Sequence, residues 1–139
     1  IIPDRSWNIQ DPDTRRVKVE AMNRFVDLAQ ARNLPIAAGT EMNAYGQRFV
    51  DDFIAPEMQH AAPAFISGAF NFYAHTWLQR IAGMGYLGEW ARQSFSSIAD
   101  KNRFFEALGR LLDPAHPECL EQFTIDSTPK QILDQIQSL

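Results

Sequence analysis

Leu34-Pro-Ile-Ala-Ala-Gly-Thr-Glu-Met-Asn-Ala-Tyr-Gly46 decides how this chain is read, because it alone looks like a buried strand running into a polar, glycine-bounded loop. The apolar run from Leu34 to Ala38 is short enough to cross a core as a strand. In open α/β sheets and barrels, ligands collect at the carboxyl ends of strands. Glu41 and Asn43 follow the run directly, so they are the first place to look for chemistry. The plainer reading is that they only cap and terminate a strand.

Working outward, Asp11-Pro12 is a helix start: Asp11 accepts from orphan N–H groups, and Pro12 occupies the first helical position, where its missing N–H costs nothing. The helix is expected to run to about Arg32. Val17, Ala21, Phe25, Leu28 and Ala29 recur at helical spacing as its core face, with Arg15, Lys18, Arg24 and Asp27 on the wet side. Asn33-Leu34-Pro35 ends it. Ile1 to Asn8 reads as the end of another strand followed by a loop. Strand end, helix and strand together make a parallel βαβ unit over residues 1–54.

Residues 55–139 read as helical. Ala55-Pro56 opens a short helix and Pro63 a longer one, in which Phe65, Ile66, Ala69, Phe70, Tyr73, Trp77, Leu78 and Ile81 form a broad apolar face. Gly83, Gly85 and Gly88 mark a helix-to-helix turn. Leu87 to Phe95 suggests another helix, Phe104, Phe105, Leu108, Leu111 and Leu112 a further one after Asp100 that Asp113-Pro114 stops, and Ser127-Thr128-Pro129 starts a terminal amphipathic helix. The expected fold class is therefore α/β, predominantly helical, with one βαβ unit of short parallel strands ahead of a helical C-terminal region. Two short strands make a poor sheet. The pattern fits a helical domain with a vestigial strand pair, or the last part of a larger barrel.

Composition bounds the function. A chain of 139 residues has room for a single domain or fragment. The net charge of −4, with no basic cluster beyond Arg15-Arg16 and Lys18, lacks the electrostatic footprint of a nucleic-acid binder and argues against anionic membranes. Asn71, His75, Gln79 and Arg80 interrupt the best candidate for a membrane span. The single Cys119 excludes an intramolecular disulfide and a cysteine zinc cluster. With no signal peptide visible, a reducing, cytoplasmic setting is expected. The sequence begins at Ile1-Ile2-Pro3 without methionine, as if cut from something longer.

The order of Asp4-Arg5-Ser6-Trp7-Asn8, a helix ending in Leu28-Ala29-Gln30-Ala31-Arg32, then a strand and Gly39-Thr40-Glu41-Met42-Asn43 resembles the final βαβ of the polymerase and histidinol phosphatase (PHP) family. That family's last strand ends in Gly-Ser-Asp-x-His, whose Asp and His ligate metal. Tyr73-Ala74-His75-Thr76 and Gly85-Tyr86-Leu87-Gly88-Glu89-Trp90-Ala91 also look similar to uncharacterised bacterial proteins with a PHP-like barrel. The resemblance implies a divalent metal (Mg, Mn or Zn) at Glu41 and Asn43 and a small-molecule phosphoester substrate. Glu41 in place of Asp keeps a carboxylate, while Asn43 in place of His offers an amide oxygen suited to magnesium or calcium rather than zinc. The family's His-x-His and Asp-His motifs are absent, and metal sites need about three or four convergent ligands. The isolated chain is thus expected to be inactive.

Other residues carry chemistry. His75 is a candidate metal ligand or general base, or else a core-edge histidine satisfied by a backbone carbonyl. Asp4 and Arg5 would share the rim with Glu41, as a phosphate contact or as an ion pair. Asp51-Asp52 is read as a cap, since adjacent side chains point apart. His60 and His116 are expected to be solvated, and Cys119 lacks a partner for nucleophilic work. Two functions follow: the C-terminal segment of a PHP-like metal-dependent hydrolase with Glu41, Asn43, Asp4 and His75 around its mouth and Arg5 beside them, or a non-catalytic helical module whose apolar helices after Pro63 serve for packing and for self-association as a homo-oligomer.

Overall fold

The computed structural model describes residues 1–40, 45 and 49–139. The helices are α1 (Asp4–Trp7), α2 (Pro12–Ala31), α3 (Ala62–Ala82), α4 (Glu89–Ser94), α5 (Ile98–Leu111) and α6 (Pro129–Gln137), with 3-10 turns at Pro56–Met58 and Pro117–Leu120. The chain divides into two compact units, Ile1–Ala69 and Phe70–Leu139, and α3 contributes residues to both.

Among the described residues there is no strand. The expected α/β class and its βαβ unit are therefore corrected to an all-helical arrangement. The physical reason lies at Pro3. The Ile1 amine donates to Ala37 O at 2.9 Å and Gly39 N–H donates to Ile1 O at 3.0 Å, which is one rung of parallel pairing. The next rung would need an N–H from residue 3, and proline has none. Pro3 O instead accepts from Ser6 N–H and Trp7 N–H, turning the chain into α1. Residues 34–40 carry no regular secondary structure.

In the first unit, the expected helix start at Asp11 is present, with Thr14 N–H donating to the Asp11 carboxylate at 2.8 Å and Pro12 at the first helical position. At its other end, Asn33 takes φ 54°, while Asn33 N–H reaches Gln30 O and Leu34 N–H reaches Ala29 O. This is a Schellman closure with asparagine in the left-handed position. The buried face differs from expectation: α2 turns Met22, Val26 and Ala29 inward against Trp7, Met58 and Phe65. Val17, Phe25 and Leu28, expected in the core, are 51%, 51% and 53% exposed. At about 100° per residue, α2 carries two apolar arcs roughly 120° apart, and only one is used. Ile36 is buried in the same core, and its carbonyl runs so close to α3 that a Cβ on Gly68 would stand 1.9 Å from Ile36 O. Only glycine admits that approach.

The second unit packs Ala74, Leu78 and Met84 with Trp90, Phe104, Phe105, Leu108, Leu120, Ile132 and Ile136. Full burial of a side chain such as Leu78 or Phe105 contributes on the order of 2 kcal/mol. Trp90, Phe95, Phe104 and Phe105 stack in tilted and edge-on pairs with centroids 5.1 to 6.5 Å apart. Gly83, at φ 72°, ends α3. The helix through Phe104 begins earlier than expected, because Ser97 accepts from Asp100 N–H as its cap. At α6, Thr128 and Gln131 form a reciprocal capping box.

Candidate functional site

Glu41 and Asn43, the expected metal ligands, lie outside the described residues. Asp4 and Arg5, expected at a strand end, sit instead in the single turn of α1. Asp4 suits the positive end of that turn and is half-buried, with its Oδ1 enclosed and without a hydrogen-bond partner. Arg5 is exposed. His75 belongs to the second unit, and its Nδ1 accepts Tyr86 N–H at 3.0 Å, which puts the neutral ring's proton on Nε2. The backbone partner is an N–H where a carbonyl was expected. His75 and Gln79, whose Oε1 accepts Gly85 N–H at 3.0 Å, together hold the turn that follows α3. Tyr86 then packs on Phe105, donates its hydroxyl to Asn102 and carries the Lys101 ammonium 4.1 Å from its ring centroid. Burial pushes the Tyr86 hydroxyl above the ordinary phenol range.

The carboxylate pair is split by its surroundings. Asp52 accepts from Ile54 N–H at 3.2 Å as a turn residue. Asp51 is only 6% exposed, and its Oδ1 accepts the Trp7 indole N–H at 2.8 Å. Sequence reasoning missed this bond, whose partners are 44 positions apart. His60 faces Asp27 at 2.7 Å and His116 faces Glu118 at 3.0 Å, all four largely exposed. Burial and the neighbouring Glu118 raise the Cys119 thiol above its ordinary value, away from the thiolate a nucleophile needs. Among the described residues, no three His, Cys, Asp or Glu side chains converge as metal ligands. No described helix is long and apolar enough to cross a membrane.

The feature with the clearest chemistry is the outer arc of α2. Val17, Ala21, Phe25 and Leu28 fall within roughly 80° of one another, all exposed and turned away from the Met22–Val26–Ala29 arc. Glu20 and Arg24 border the strip on the side away from the core. Glu20 meets Arg16 at 3.3 Å within the helix, and Arg24 makes no ion pair with a described residue. No family model, curated protein or solved structure matches this chain.

Proposed function

We propose that the chain is a non-catalytic helical interaction module that associates with a second copy of itself through the outer arc of α2. The observation that carries the reading is the exposure of Val17, Phe25 and Leu28 on a helix whose other apolar arc is already buried. Isolated exposed apolar residues are ordinary, but a strip repeated over three turns of a well-capped helix marks a contact surface. The strip also suits self-pairing: Val17 and Leu28 lie five and six residues on either side of position 22, so a two-fold contact centred there would bring them together. The phosphoesterase reading draws on a strand end that the chain does not form among its described residues. The geometry therefore favours association.

Sedimentation of the 139-residue chain across a concentration series tests this. The expected result is reversible dimerisation that Phe25→Glu abolishes, with helical content unchanged by circular dichroism. A chain that stays monomeric into the high micromolar range would overturn the proposal.

A further inference from the structure

The geometry points to an antiparallel pairing of the two α2 helices about a two-fold axis level with Met22, in which Glu20 of each copy meets Arg24 of the other. The inference rests on the association reading above and adds its orientation and the residues that set it.

An antiparallel pair with its axis at Met22 places position 20 of one helix at the height of position 24 of the other, since each lies two residues from the axis. At about 100° per residue, both positions also fall on the same flank of the apolar arc. The axis preserves that flank, so Glu20 and Arg24 of the two copies come side by side twice, once on each side of the axis. Val17 then lies within about one residue's rise of Leu28 of the second copy. Ala21, next to the axis, lets the backbones approach. A parallel pairing in register would instead put Glu20 and Arg24 of the two copies on opposite flanks of the interface, so neither Glu20 would meet the other copy's Arg24. Arg24 is exposed and has no ion-pair partner among the described residues, so it is available for such a contact. Glu20 holds only the exposed Arg16, a surface pair of small worth that yields or shares without large cost. Two-fold symmetry doubles the effect of any one substitution, because each appears in both copies.

Charge exchange separates this arrangement from other ways of using the same face. The dimer dissociation constant is measured by sedimentation equilibrium for wild type, Glu20→Arg, Arg24→Glu, the double exchange and Phe25→Glu, at about 50 and 500 mM salt. The antiparallel pairing predicts that each single exchange weakens the dimer roughly tenfold, from two exposed contacts turned repulsive. The double exchange recovers wild-type affinity to within about threefold, and the differences shrink at high salt. If Phe25→Glu dissociates the dimer but the single exchanges leave it unchanged, the α2 face stands and this register is overturned. Equal dimerisation of Phe25→Glu and wild type would overturn both the register and the use of α2. A monomeric wild type would overturn self-pairing altogether.

Discussion

Gly68→Ala sets helix propensity against tertiary packing, and the two give opposite signs. Position 68 lies inside α3, where replacing glycine by alanine ordinarily stabilises by about 1 kcal/mol. Here the new Cβ would lie 1.9 Å from Ile36 O, 2.8 Å from Ile36 C and 3.0 Å from Ile36 N. The obstacle is backbone, so no rotamer change relieves it. Moving from 1.9 Å to an ordinary contact near 3.4 Å requires the 36–39 segment to lift by about 1.5 Å. That displacement withdraws the buried Ile36 side chain and strains the Ile1–Ala37 and Gly39–Ile1 hydrogen bonds. Overpacking of this kind costs about 1 to 3 kcal/mol, and partial loss of Ile36 burial adds about 1 kcal/mol. Set against the propensity gain, the net expectation is destabilisation by about 2 kcal/mol, or about 6 °C in Tm for a chain of this size. Urea melts followed by circular dichroism measure it, and hydrogen exchange at the Gly39 amide should speed up in parallel. Gly39→Ala is the control: no atom lies within 4 Å of its added Cβ, so its stability should match wild type to within about 0.5 kcal/mol. A Gly68→Ala variant as stable as wild type, or more so, would refute the close approach of the Ile36 backbone to α3.

Two further outcomes follow from single groups. His75→Asn keeps an acceptor near Nδ1 for the Tyr86 N–H and should retain most of the stability, whereas His75→Phe leaves that N–H unsatisfied and should cost about 1 to 2 kcal/mol by chemical denaturation; equal losses in the two variants would show that the bond is not what His75 contributes. Hydrogen bonds from Thr14 hold Asp11 below the usual carboxylate range. A depressed carboxylate contributes stability that is present above its unfolded pKa and is lost as pH falls through its folded value. Stability measured from pH 6 down to pH 2 should accordingly fall less steeply for Asp11→Asn, which keeps the cap without the charge, and identical acid limbs would count against the capping bond.

Much of the helix plan was legible because helix ends are local. Asp11-Pro12 and Thr128-Pro129 announce their caps within four residues, and asparagine at position 33 has the short polar side chain that tolerates the left-handed closure found there. The candidate site was less legible. The Asp51 carboxylate looked like half of an ordinary acidic pair until folding set it against Trp7, and His75 gave no sign of the turn 11 residues on that it anchors. Glu41 and Asn43, on which the metal expectation turned, lie outside the described residues.

Sequence alone determined where α2 starts and stops and where α6 begins, because capping and proline sterics act over a turn or less, whereas α1 stood where a strand end was expected. It also determined that α2 is amphipathic, since apolar periodicity belongs to the chain itself. Only the tertiary structure decided which of the two apolar arcs of α2 entered the core. Both arcs are comparably apolar, and the choice went to the one that Trp7, Met58 and Phe65 reach together. Only folding, likewise, decided that Ile36 to Gly39 would not become a strand. An extended run needs a partner with N–H groups in register, and the segment folded beside it offers one rung and then Pro3. The exposed arc of Val17, Ala21, Phe25 and Leu28 is the product of that choice, and it is the surface on which the proposed association depends.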